Sequence, residues 1–326
     1  MKTPSRILVT EPIPEKVLGV LKQTGDVSIG EKGQFQEKGA LEQVIESYDA
    51  LLTMLSVPVS TSVIQRAKKL KIIANFAVGY NNIDVDSARA AGIKVANTPD
   101  VLTEACADFT IGLLIATTRS FIQAESALRN GAFKGWEPLG FLGMDLNGKK
   151  LGIFGMGRIG KAVAKRAQVF GLSVLYHNRS RLAPEEEKAL NVEYVDNLET
   201  LASRSDILSI HCPLTPETTH RVNAEILSLL PSHACLINTS RGPIVDEEAL
   251  ANALHQGIIG SAGLDVYELE PHIHPKLLTA PNCTLLPHIA SATHETREAI
   301  GMLAANAIRQ VLSGVPDHRI PNLIRP

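Results

Sequence analysis

The sequence lacks the features that would place it in a membrane, a metal scaffold or a nucleic-acid complex. Across 326 residues no apolar run reaches the roughly 18 positions of a membrane span. Even Phe109-Thr110-Ile111-Gly112-Leu113-Leu114-Ile115-Ala116 is soon followed by Arg119. The opening Met1-Lys2-Thr3-Pro4-Ser5-Arg6 has no signal-peptide core, so a cytoplasmic location is expected. Four scattered cysteines, Cys106, Cys212, Cys235 and Cys283, form no Cys-x-x-Cys pair. That argues against a disulfide framework or a zinc site and for buried, reduced thiols. His272 and His274 find no cysteine or carboxylate to complete a ligand set, so no metal is expected. With 32 basic and 34 acidic residues, the net charge of -2 gives no electrostatic reason to bind nucleic acid or an anionic membrane. Small molecules and protein subunits are the expected partners.

What is present is an ordinary globular composition, 44% apolar and 20% charged, over about twice the usual domain length, so two domains are expected. Short β-branched runs recur between helical stretches: Ile7 to Val9, Ala50 to Thr53, Ile72 to Phe76, Val95 to Ala96, Leu151 to Phe154, Val174 to Tyr176, Ile207 to Ile210, Cys235 to Asn238, Gly263 to Val266 and Cys283 to Leu286. Strands alternating with helices predict α/β architecture, with parallel sheets covered on both faces. Pro14 opens one helix, and Gly92 closes another after Ala88-Arg89-Ala90-Ala91. A long helical period runs from Thr103 to Arg129, and a late helix from Glu295 to Leu312. Boundaries near Thr98-Pro99-Asp100 and Ile289 to Thr293 predict a discontinuous domain, 1–98 plus 290–326, with 99–289 as an insert.

The strongest local signal is Gly155-Met156-Gly157-Arg158-Ile159-Gly160, directly after the strand Lys150-Leu151-Gly152-Ile153-Phe154 and before a helix from Lys161 to Phe170 that ends at Gly171. In that context Gly155 permits the tight turn, Gly157 lets backbone approach a pyrophosphate, and Gly160 allows close helix-to-strand packing. The helix N-terminus offers N–H donors to the anion. An NAD site usually places an acidic residue about 20 positions on, at the end of the next strand. Here Val174-Leu175-Tyr176 runs into His177-Asn178-Arg179-Ser180-Arg181 without a carboxylate. Arg179 and Arg181, with Ser180 between them, suit a 2′-phosphate, and one charge-assisted hydrogen bond contributes about 1.5–3 kcal/mol. The expected cofactor is therefore NADP(H) rather than NAD(H). Glu185-Glu186-Glu187-Lys188, after Pro184, reads as a solvated helix start.

Six further stretches complete a pattern over almost the whole chain: Val78-Gly79-Tyr80-Asn81-Asn82-Ile83-Asp84, His211-Cys212-Pro213-Leu214-Thr215, Asn238-Thr239-Ser240-Arg241-Gly242, Gly263-Leu264-Asp265-Val266-Tyr267, Glu268-Leu269-Glu270-Pro271 and Leu286-Pro287-His288-Ile289-Ala290-Ser291. With the glycine turn, they resemble the D-2-hydroxyacid dehydrogenase family, and within it are most similar to glyoxylate and hydroxypyruvate reductases. The resemblance implies a doubly wound Rossmann domain inserted into a second, flavodoxin-like α/β substrate domain. It implies a catalytic set of Arg241, Glu270 and His288, and a substrate loop of Val78 and Gly79 with Leu55 and Ser56 nearby. Thr103, Cys212, Pro213, Thr218, Thr239, Asp265 and Ala290 match cofactor-contacting positions, beside the residues of the glycine turn and Asn178.

Reducing a 2-oxo acid needs a hydride, a proton for the carbonyl oxygen and a cation for the carboxylate. Histidine, glutamate and arginine suit the last two tasks. The family further implies domain closure over the substrate, a homodimer joined through the dinucleotide domain, and a position for Trp136 near the partner's pocket. Other acids remain open at this stage, namely 2-ketogluconate, D-lactate or 3-phosphoglycerate. So does a dinucleotide-sensing, corepressor-like binding protein, although such relatives often carry disordered tails that this chain almost lacks.

Overall fold

A computed structural model describes residues 4–325, and the chain divides into two compact units, Met1–Leu102 with Ala292–Pro326, and Thr103–Ser291. The crossings thus fall slightly later than the expected 98/99 and 289/290. At the second crossing, Ile289 and Ala290 stay with the insert because their N–H groups bond to Asp265.

The first unit holds β1 (Arg6–Val9), β2 (Asp26–Ile29), β3 (Ala50–Thr53), β4 (Ile72–Asn75) and β5 (Lys94–Ala96), all parallel, in the order β2-β1-β3-β4-β5. That is the flavodoxin-like order. Strands β3 and β4 are buried along their whole length, as parallel strands covered on both faces must be. Leu8, Leu51, Ile73 and Val95 stand in register on one face and pack with Val63, Ile64 and Ala88. The helix Glu15–Thr24 packs on the late helix His294–Leu312, which also lies on β3 and β4. Gly301 permits this approach, since a Cβ there would come within 2.6 Å of Val17.

The second unit holds β6 (Lys150–Phe154), β7 (Ser173–His177), β8 (Val192–Tyr194), β9 (Ile207–Ile210), β10 (Cys235–Asn238), β11 (Ser261–Leu264) and β12 (Cys283–Leu285). Their order, β12-β11-β10-β9-β6-β7-β8, is the doubly wound dinucleotide arrangement with one strand added, and it reverses direction between β6 and β9. One face of the sheet carries Leu151, Ile153 and Ile237 against the helices Thr103–Thr118 and Arg158–Val169. The opposite face carries Leu208, Leu236 and Leu264 against Leu201, Ile226 and Leu250.

Three local expectations change. Strands β2 and β8 escaped the sequence reading because both lie at sheet edges, where only part of each short strand is covered. The helical period from Thr103 to Arg129 is two helices, Thr103–Thr118 and Phe121–Arg129, bent by 62° at Ser120, whose φ is 51°. Glu187, expected in a solvated helix start, is only 8% exposed, because Tyr176 and Arg181 converge on it. Among the described residues no single helix is long and apolar enough to cross a membrane. Three of the cysteines are buried and Cys283 is partly so, all as thiols rather than disulfides.

Candidate active site

The carboxyl ends of β6, β7, β9, β10, β11 and β12 carry almost every candidate residue of the second unit. At β6 the glycine turn is shaped by close contacts within the chain. Gly155 has φ +106°, and a Cβ on it would lie 2.3 Å from the Cys212 nitrogen; one on Gly160 would lie 2.3 Å from the Gly155 carbonyl oxygen. Gly157 differs. Its φ of -79° suits any residue, and a Cβ there meets nothing within 4 Å. Packing therefore explains glycine at 155 and 160 but not at 157, where the chain leaves open space beside the start of the helix Arg158–Val169. Gly157 caps that helix without a side-chain hydrogen bond, so its opening N–H groups are presented as an anion site. The residues fit a dinucleotide pyrophosphate.

The loop after β7 lies alongside. Gly155 donates to the His177 carbonyl at 3.0 Å, and the Met156 N–H donates to Asn178 Oδ1 at 3.2 Å. Asn178 in turn donates to the Ser180 carbonyl. Arg179 is exposed. The Glu217 carboxyl lies below its ordinary value, chiefly through a hydrogen bond from Thr215 and in smaller part through the charge of Arg179. Arg179 is thus near enough to the loop after β9 for its charge to reach Glu217. Arg181, expected beside it, is instead turned onto Glu187, with Nε and Nη2 each 2.8 Å from a carboxylate oxygen.

The loop after β9 is tied to the loop after β10. Thr218 Oγ1 donates to the Pro213 carbonyl at 2.8 Å, and Ser240 Oγ donates to the Cys212 carbonyl at 2.5 Å. Buried Asn238 accepts from the Ser240 N–H and donates to the Arg241 carbonyl, both at 3.0 Å, so the strand end itself fixes the turn that carries Arg241. Thr239 Oγ1 meets Thr110 Oγ1 at 3.0 Å, which sets the first turns of the helix beginning at Thr103 against this edge. After Arg241 only glycine fits, because a Cβ on Gly242 would lie 1.9 Å from the Tyr267 carbonyl carbon. That approach brings Arg241 to the loop of Glu270. Burial pushes the Arg241 guanidinium below its ordinary value, while Glu270 and Cys106 oppose the shift.

Glu270 and His288 meet directly, with Oε2 to Nδ1 at 2.8 Å. Burial pushes the Glu270 carboxyl up, but the hydrogen bond and charge of His288, the Tyr267 N–H and Arg241 outweigh it, and Glu270 lies below its ordinary value. Asp265 is 0% exposed, and its two oxygens accept the Ile289 and Ala290 N–H groups, each at 2.8 Å. Burial leaves this carboxyl above its usual range despite those bonds. His288, the residue just before them, has φ +56°.

Within the first unit, three carbonyls of the loop after β4 are each held by a chain donor: Ala77 by the Thr98 N–H, Val78 by Asn97 Nδ2 at 2.8 Å, and Gly79 by Asn75 Nδ2 at 2.7 Å. Asn82 bonds Asn75 and donates to the Met54 and Val57 carbonyls on either side of Leu55 and Ser56. One asparagine pair, buried Asn75 with half-buried Asn82, thus fixes both expected substrate segments. The sequence assigned no role to Asn75, or to Asn82 within the stretch Val78 to Asp84; the available signal was a polar residue closing the apolar run Ile72 to Ala74.

Residues 111–290 match the model of the D-isomer specific 2-hydroxyacid dehydrogenase NAD-binding domain. The chain is 44% identical over 324 residues to a glyoxylate reductase of Thermococcus litoralis, covering 98% of this chain and 96% of that one. The TT0316 protein of Thermus thermophilus superposes with a TM-score of 0.90 at 40% identity, over 98% of this chain and all of the other. An NADPH-dependent glyoxylate/hydroxypyruvate reductase of Sinorhizobium meliloti, solved with NADP and malonate, has a TM-score of 0.85 at 37% identity, over 99% of this chain and 100% of that one. A doubly wound sheet with this edge defines an oxidoreductase that uses a nicotinamide dinucleotide. The chain belongs to the D-isomer specific 2-hydroxyacid dehydrogenase family.

One half-exposed residue in this edge, its ring enclosed by the chain, is acid-sensitive. His211, bonded to Ser209 Oγ at 2.8 Å, is pushed by burial from 6.5 down to about 4. The unfolded chain takes up this proton at higher pH than the folded chain, so stability is present above pH 6.5 and declines as pH falls toward about 4. His211→Gln is expected to flatten that part of the curve of urea midpoint against pH. Equal slopes in the two proteins contradict it.

Proposed function

We propose that the chain is an NADPH-dependent reductase of small 2-oxo acids, with glyoxylate and hydroxypyruvate the preferred substrates. The observation that carries this is the 2.8 Å contact between His288 Nδ1 and Glu270 beside Arg241. A bound nicotinamide supplies the hydride. The chain supplies the rest. Since Nδ1 faces a carboxylate, it carries hydrogen, and Nε2 is the nitrogen that exchanges a proton with substrate. Glu270 holds the imidazole through Nδ1 and leaves Nε2 free to carry the transferred proton. Nε2 then protonates the carbonyl oxygen as hydride arrives at carbon, and accepts the proton in the reverse direction. Arg241 offers a planar set of donors to the substrate carboxylate and carbonyl. Held through their carbonyls, Val78 and Gly79 keep N–H groups for an anionic substrate, with Leu55 and Ser56 in the neighbouring segment.

For the cofactor, the glycine turn with Arg158 and Ile159 takes the pyrophosphate, and Arg179 with Ser180 takes the 2′-phosphate. Asn178, Pro213 and Thr218 border the adenosine half. Thr103, Cys212, Thr239, Asp265 and Ala290 border the nicotinamide half. The absence of a strand-end carboxylate supports NADPH, as does the similarity to a relative solved with NADP. The protein is a homodimer in this reading. Phe121, Leu128, Phe133, Leu139 and Leu142 are exposed and Trp136 is 85% exposed; a single segment of a monomer seldom shows so much apolar surface to water.

The test is the rate of NADPH and NADH oxidation by purified protein with glyoxylate, hydroxypyruvate, 2-ketogluconate, pyruvate and 3-phosphohydroxypyruvate. NADPH with glyoxylate or hydroxypyruvate is expected to give the highest kcat/KM, and Arg241→Ala to lower it by about 100-fold or more, since it removes a charged contact to the reacting acid. Equal use of NADH overturns the cofactor assignment. No turnover of any acid overturns the reductase.

A further inference from the structure

The two arginines after β7 have different surroundings. Among the described residues no side-chain hydrogen bond or ion pair holds Arg179. Arg181 makes a two-pronged contact with Glu187, at 2.8 Å on each side, and lies 5.2 Å from the Tyr194 ring centre. Glu187 also accepts from Tyr176 Oη at 2.5 Å, and that hydroxyl accepts the Leu182 N–H at 3.0 Å. The last residues of β7 and the far end of the loop therefore meet on one carboxylate. Glu187 sits on the short helix Pro184–Leu190, and its neighbour Glu186 pairs with Lys161 on the dinucleotide helix. The loop from His177 to Leu182 is closed at both ends and anchored to the helix whose N-terminus would take the pyrophosphate.

We propose that Glu187 and Arg181 are positioning residues for cofactor selection: their ion pair fixes the path of residues 177–182 so that Arg179 alone of the two arginines meets the 2′-phosphate. This rests on the NADPH reading above. A planar two-pronged pair is geometrically demanding, which suits it to setting a loop path. Glu187 is largely buried, so removing Arg181 leaves an uncompensated carboxylate under the loop, and removing the carboxylate releases the arginine. If Arg181 were itself a phosphate ligand, Glu187 would compete with the cofactor for it. Freeing Arg181 would then raise the preference for NADPH. The clasp requires the opposite sign.

The experiment measures the ratio of kcat/KM for NADPH to that for NADH in Arg179→Ala, Arg181→Ala, Glu187→Gln and the double variant Arg181→Ala/Glu187→Gln, with amide hydrogen exchange over residues 177–182. Arg179→Ala is expected to lower the ratio by about tenfold or more, as one charge-assisted contact is lost. Arg181→Ala and Glu187→Gln each lower it severalfold, the double variant lowers it no further than either single one, and loop exchange quickens in all three. A ratio unchanged or raised in Glu187→Gln, or additive losses in the double variant, overturns the clasp. Should the unaltered protein use both dinucleotides equally, the NADPH reading fails. Loop exchange in Glu187→Gln then still decides whether the ion pair sets the loop path.

Discussion

A buried carboxylate must find partners, and the way Asp265 finds them governs the geometry of the site. With both oxygens taken by the N–H groups of Ile289 and Ala290, the chain leaving β12 is drawn back across the end of β11. His288 has to adopt φ +56° to make that turn. A left-handed conformation costs a non-glycine residue about 1–2 kcal/mol. Two hydrogen bonds to a charged acceptor contribute about 1.5–3 kcal/mol each, enough to offset it. The strained turn is what aims Nδ1 at Glu270, and Glu270 in turn lies beside Arg241 because Gly242 and Tyr267 pack backbone to backbone.

The same logic extends along the sheet edge. Parallel strands release all their chain ends on one side, so residues distant in sequence collect there without long-range design of each contact. Short side chains then bind loop to loop: Asn238 to the Arg241 turn, Ser240 to Cys212, Thr218 to Pro213, Asn178 to the glycine turn. In the first unit Asn75 and Asn82 do this for the segments around Ser56 and Gly79.

Fully covered strands were legible in the sequence because burial on both faces makes them unbroken apolar runs, as in β3, β4 and β9. The edge strands β2 and β8 were not, since partial burial leaves no run to see. The break at Ser120 was hidden by an apolar period that continues through it. The glycine turn was legible from its spacing and setting. Arg241, Glu270 and His288 were reached through family resemblance, and nothing in the interval between 270 and 288 announces that they touch. Glu187 was misread because an acidic run after proline looks solvated. Its partners come from the preceding strand and loop, and only the fold brings them together.

The central claim is that Glu270 and His288 act as one unit. It is tested most directly by kcat for 2-oxo acid reduction in Glu270→Gln, His288→Gln and the double variant. His288→Gln is expected to lower kcat by about 100- to 10,000-fold, Glu270→Gln by less, and the double variant by no more than His288→Gln alone. Losses that multiply would contradict the account, because they would mean that Glu270 contributes something other than holding the imidazole.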